Sequence, residues 1–209
     1  MKAGIIKEQY EIDKVFIKKP WKALTYSEIQ EISKKKSKGY IYKELKRLSD
    51  NKMIKPERIG KRTVVYHTVL SSASAQHYWG FLHENTSWST EKFPFQIIEN
   101  LRSHMPTPFF SIIVTGSYAK GKQTKESDLD VVILSDYDPK SIFAELKYEA
   151  DTSIPKVHLY VFTSKEFLEM LNSKRENYGK EVARNNLIFF GGASYYSILQ
   201  EAISHGFNG

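Results

Sequence analysis

Cysteine is missing from the 209 residues, which excludes a disulfide framework and any thiolate metal site. No apolar run approaches the ~20 residues that a membrane-spanning helix needs. The opening stretch MKAGIIKEQYEIDK is charged where a signal peptide would be apolar. Disorder is excluded as well, because 41% hydrophobic and 13% aromatic residues are enough to build a core. These absences point to a soluble cytoplasmic protein of one or two domains.

Positive charge is abundant but unevenly placed. Residues 1–68 hold 15 Lys and 3 Arg against 8 Asp and Glu, whereas residues 69–209 hold 13 basic against 16 acidic. A basic first third followed by a slightly acidic remainder suggests two modules with different partners.

The first third reads as helices followed by a hairpin. Thr25 or Ser27 is an N-cap candidate for TYSEIQEIS, with Glu28 and Glu31 near the positive end of the helix. YIYKELKRL then places Ile41, Leu45 and Leu48 on one face at helical spacing. Met53 to Ile59 reads as a strand broken at Pro56, Gly60-Lys61-Arg62 as a turn, and Thr63 to Thr68 as the return strand. Two helices follow in SSASAQHYWGFLHEN and TEKFPFQIIENLRSH, the second interrupted near Pro94. Tyr78, Trp79, Phe81 and Leu82 read as core or inter-domain packing, and His77 and His83 are too poorly spaced on a helix to be ligands.

The stretch VTGSYAKGKQTKESDLDVVIL, Val114 to Leu134, carries the chemistry. FFSIIVTG is a buried strand, Gly116-Ser117 follows it directly, and DLDVVIL is a second strand. Alternation along a strand puts Asp128 and Asp130 on one face and Leu129, Val131 and Ile133 on the other. Two neighbouring carboxylates repel, and a hard divalent cation such as Mg²⁺ or Mn²⁺ relieves that repulsion. Glycine lets the backbone approach a ligand closely, and backbone N–H groups in a strand-to-helix turn favour anions. Gly116 and Ser117 therefore read as a phosphate cradle beside a metal site at Asp128 and Asp130, equipment for metal-assisted phosphoryl or nucleotidyl transfer.

Two resemblances follow from these residues. Gly116, Ser117, Ala119, Gly121, Ser127, Asp128, Leu129 and Asp130 resemble the G-S-x-A-R-G-x-x-x-x-x-S-D-[LI]-D pattern of minimal nucleotidyltransferases in the DNA polymerase β superfamily. Lys120 stands where that family often has Arg, which makes it a candidate triphosphate contact. The resemblance runs over about residues 90–207, through VHLYVFTSKEFLEML and GKEVARNNLIFFGG to a last helix in ASYYSILQEAI. It implies a third carboxylate in a later strand, expected over Lys156 to Phe162. His158 holds that position here. It serves as the catalytic base or a metal ligand, or else marks a site that has lost its third acid.

The N-terminal third resembles a winged helix-turn-helix, an arrangement also found ahead of such domains among archaeal proteins. This implies double-stranded DNA as partner, contacted by the helix from about Ser37 to Asp50 (Lys38, Tyr42, Lys43, Lys46, Arg47) and by Lys61 and Arg62 of the wing.

The expected fold is α+β: a winged helix-turn-helix over residues 1–70, a helical linker over 71–92, and a polymerase-β-like nucleotidyltransferase α/β domain with a small mixed sheet over 93–209. The expected activity moves a nucleoside monophosphate from an NTP to an acceptor hydroxyl. The rivals are a DNA-binding transcriptional regulator with a degenerate, nucleotide-sensing or inactive transferase domain, and an antitoxin-like partner of a toxin subunit. A homodimer is the further oligomeric expectation.

Overall fold

The computed structural model describes residues 7–209, so the first six residues of the charged opening stretch lie outside the described residues. Helix α1 (Lys7–Ile17) leads through the two-residue strand β1 (Leu24–Thr25) to helix α2 (Tyr26–Ser33). Thr25 is the N-cap of α2. Its hydroxyl accepts from the Glu28 amide at 3.3 Å while the Glu28 carboxylate accepts from the Thr25 amide at 2.8 Å, a reciprocal cap.

Helix α3 (Lys38–Asp50), capped by Ser37, buries Ile41, Leu45 and Leu48 as their spacing requires. Strands β2 (Ile54–Ile59) and β3 (Thr63–Thr68) form a hairpin, with Gly60 at φ +64 in its turn. The sheet order is β1-β3-β2, all antiparallel. The expected break at Pro56 does not occur. Strand β2 runs through Pro56 because it lies on the sheet edge, where a missing N–H can be tolerated.

Helix α4 (Ala73–Trp88) fills most of the stretch expected as a linker. It packs on α1 and also, in the second half of the chain, against strand β7 (Leu187–Phe190) and helix α10 (Gly192–Ser204). Trp79 is fully buried, its ring 5.9 Å from that of Phe16 and its Nε1 donating to the Val69 carbonyl at 3.1 Å. A Cβ on Gly80 would lie 2.5 Å from the Ala193 amide, so glycine there is what lets α4 and α10 touch backbone to backbone. Glu84 of α4 accepts the Gly192 N–H at 2.6 Å and closes the start of α10. One continuous apolar core runs from Phe16, Ile29 and Leu45 through Trp79 to Val132 and Tyr195.

Helix α5 (Phe95–Ser103) precedes strand β4 (Ser111–Val114), the short helix α6 (Gly116–Ala119) and strand β5 (Leu129–Leu134). Helix α7 (Pro139–Thr152) crosses over to β6 (Val157–Phe162), and α8 (Ser164–Asn172) and α9 (Tyr178–Arg184) lead to β7. The second sheet has the order β6-β5-β4-β7. Strands β5 and β6 are parallel and the other neighbours antiparallel, so the sheet is mixed. One face, with Ile112, Val131 and Ile133, packs on α5 and α7 through residues such as Leu101, Ile142 and Leu146. The other face, with Ile113, Val132 and Ile188, joins the core built around Trp79.

Candidate functional site

Asp128 and Asp130 extend the row of Val132 and Leu134 towards the start of β5. The apolar members of the row are buried, while the side chains of Asp128 and Asp130 are 43% and 27% exposed. The row thus leaves the core at its carboxylate end. Strand β6 lies parallel beside it in a register that sets Asp130 directly opposite His158. The imidazole stands between the two acids, with Nε2 3.3 Å from Asp128 Oδ2 and Nδ1 3.5 Å from Asp130 Oδ1.

The third component arrives from β4. The Thr115 amide donates to the Asp130 carbonyl at 3.0 Å and the Thr115 hydroxyl to the Asn185 carbonyl at 2.7 Å, which pins the strand end. Gly116 follows at φ +69, and a Cβ there would lie 2.1 Å from Asp130 Oδ2. Both the left-handed backbone and the close approach require glycine. Ser117 is next, and its hydroxyl has no hydrogen-bond partner among the described residues. The structure therefore brings Gly116, Ser117, Asp128, Asp130 and His158 together from three strand ends.

Among the described residues, no set of three or more His, Cys, Asp or Glu side chains forms a metal centre. The two ring nitrogens of His158 are each turned to a different carboxylate. The hard oxygen donors that would suit a divalent cation here are the two carboxylates.

Neighbours not singled out in the sequence shape this site. Glu181 on α9 accepts from Lys120 Nζ at 2.9 Å, so the lysine expected at a triphosphate is held by a carboxylate. The Tyr178 ring lies 4.6 Å from that of Tyr160, and its phenol pKa is raised by burial, by Tyr160 and by the charge of Asp130. Tyr118, on α6, is raised by burial and by Asp128. A cavity of about 370 Å³ opens beside His158, lined also by Phe143, Lys147 and Tyr160.

The residues expected at DNA divide into two groups. Lys38, Lys43, Lys61 and Arg62 are exposed. Tyr42 is exposed and its ring stacks on Tyr26 at 4.6 Å, while Lys46 is exposed and pairs with Asp50 at 2.9 Å. Arg47 is engaged inside the protein. It donates to Asp13 of α1 at 2.8 Å and to the Tyr78 hydroxyl at 3.1 Å, and pairs with buried Glu44. Its partners sit on α1, α3 and α4, and the expectation of a free, phosphate-facing guanidinium does not describe this arrangement.

A family model described as a nucleotidyltransferase domain matches residues 96–183. That span takes in the strands β4, β5 and β6, and with them Gly116, Ser117, Asp128, Asp130 and His158. No curated protein matches. A solved structure described as the crystal structure of a toxin-antitoxin with AMP-PNP is similar at 18% identity, over 54% of this chain and 86% of that one, with a TM-score of 0.35.

Proposed function

We propose that the chain is a nucleotidyltransferase that moves a nucleoside monophosphate from an NTP to an acceptor hydroxyl, joined to a DNA-binding winged helix. The observation that carries this is the pairing of Asp130 with His158 across parallel strands, with Gly116 packed on the same carboxylate. Asp128 and Asp130 would hold Mg²⁺ or Mn²⁺, which would supply charge neutralisation at the phosphates. The Gly116 and Ser117 loop receives the β- and γ-phosphates through its backbone and the Ser117 hydroxyl. The acceptor approaches the α-phosphate on the His158 side of the site. Its hydroxyl oxygen bonds to the α-phosphorus, the bond from that phosphorus to the bridging oxygen breaks, and pyrophosphate leaves. The acceptor proton passes to a ring nitrogen of His158.

The winged-helix part of the reading is supported by the order α1, β1, α2, α3, β2, β3 and by the sheet order β1-β3-β2. Exposed Lys38, Lys43 and Lys46 on α3, with Lys61 and Arg62 at the hairpin tip, supply the cations that duplex phosphates require.

Label transfer from α-³²P NTPs with Mg²⁺ or Mn²⁺ tests the reading. Wild type should label an acceptor and Asp128→Asn/Asp130→Asn should not. Metal-independent label, or equal label in the variant, would refute the site. No transfer together with no metal-dependent nucleotide binding would leave the inactive regulator in its place.

A further inference from the structure

Two cavities lie apart from the carboxylate pair, where the end of α1 and the turn after it meet α9 and the start of β7. Their volumes are about 430 and 700 Å³, and they share Lys19, Arg184 and Asn185, so they form one continuous cleft. Five cations line it: Lys14, Lys18, Lys19, Lys22 and Arg184. Among the described residues no carboxylate side chain lines either part. The acids that pair with three of the cations, Glu11, Glu28 and Glu176, all stand outside the cavity walls. Lys18 and Lys19 have no ion pair among the described residues, and both are exposed. Asn185, Asn186 and Asn208 add amide groups to the walls.

Three of these cations are balanced by carboxylates, so the unpaired Lys18 and Lys19 gain most from an anion in the cleft. The combination of successive positive charges and amides suits a ligand with several phosphates in a row, the lysines neutralising phosphates and the amides serving as neutral hydrogen-bond donors and acceptors. The cleft is placed for cross-talk with the site described above, because Ala119, three residues on from Gly116, is part of its lining.

We propose that this cleft is a second binding site, for a chain of phosphate groups, distinct from both the carboxylate pair and the α3 surface. The source of such a chain is either a single-stranded oligonucleotide or a nucleoside triphosphate. The site needs no transfer activity, so it stands or falls independently of the proposed reaction.

The test is fluorescence anisotropy with a labelled oligothymidylate, and separately with a labelled ATP analogue in EDTA, on the full chain. Four variants are compared with wild type: Lys18→Gln/Lys19→Gln, Lys43→Gln/Lys46→Gln, Asp128→Asn/Asp130→Asn, and Lys140→Gln. The first should weaken one of the probes at least about tenfold. If that probe is the oligonucleotide, the salt dependence of its log affinity should fall by about 0.7 for each phosphate no longer neutralised. A control at an exposed lysine outside the cleft and outside both proposed sites, Lys140→Gln, should bind that probe as wild type does. Circular dichroism should be unchanged, since both lysines are exposed. Loss confined to the oligonucleotide identifies a nucleic-acid strand as the source, and loss confined to the ATP analogue a nucleotide. Unchanged binding of both probes in Lys18→Gln/Lys19→Gln, or loss only in Lys43→Gln/Lys46→Gln, overturns the proposal.

Discussion

Asp130 and His158 face each other in register across the parallel pair β5 and β6, with Nδ1 of the histidine 3.5 Å from the carboxylate. Substituting His158 separates proton transfer from nucleotide binding. His158→Ala should lower the turnover of the proposed transfer by about 10²-fold or more. It should leave metal-dependent nucleotide binding within a few-fold of wild type, because both aspartates remain. Single-turnover label transfer alongside nucleotide titration checks this, and loss of binding in step with turnover would assign His158 to ligand holding instead.

Gly116 is the residue that Asp130 tolerates as a neighbour. Gly116→Ala puts a Cβ 2.1 Å from Asp130 Oδ2 at a φ of +69. The backbone strain alone should cost about 1–3 kcal/mol, and Asp130 must also swing away. Urea unfolding should show the loss, and residual transfer by the folded variant should drop well beyond what the unfolded fraction explains.

Asp13 should make stability depend on pH. Its carboxyl is buried beside Glu44, Arg47 and Tyr78, and burial raises its pKa to about 8 against the opposing hydrogen bond from Tyr78 and the charge of Arg47. With Asp13 neutral, Arg47 and Glu44 balance each other. The sign follows: a raised pKa in the fold gives stability that is complete below the unfolded value, near about 3.9, and is lost as pH rises through about 8. Asp13→Asn stays neutral, so its urea midpoint should fall less than that of wild type across this window.

Arg47 and the exposed lysines should part ways. Arg47→Ala leaves buried Glu44 without its cation and Asp13 without a hydrogen-bond donor, and should cost on the order of 3 kcal/mol of stability. Lys61→Gln/Arg62→Gln should leave the unfolding midpoint unchanged. If the hairpin tip meets duplex phosphates, the double variant should reduce the salt slope of duplex binding by about 0.9 for each phosphate it no longer neutralises. Unfolding curves and binding titrations at several salt concentrations distinguish the two effects.

These contrasts show what a linear reading can reach. The period-two alternation of DLDVVIL placed Asp128 and Asp130 on one face, and the alternation of VHLYVF placed His158 on the matching face of the next strand. Both are local consequences of strand geometry. The cap at Thr25 and the apolar stripe Ile41, Leu45 and Leu48 were legible for the same reason. Helix α7 carries readable start signals as well, since Asp138 caps it and Pro139 begins it. The Lys120–Glu181 pair joins residues 61 apart, and Arg47 reaches Asp13 and Tyr78 over 34 and 31 residues. Such pairs depend on how helices stack, which no local period encodes. The packing of α4 on α10 through Gly80 was hidden likewise, since a lone glycine in a helix does not name the backbone it will meet.

The most direct test of the account is label transfer from α-³²P NTPs by wild type and by Asp128→Asn/Asp130→Asn, with nucleotide binding measured on the same samples. The account predicts metal-dependent label in wild type and none in the variant. Label that persists in the variant, or that forms in wild type without a divalent cation, would contradict it.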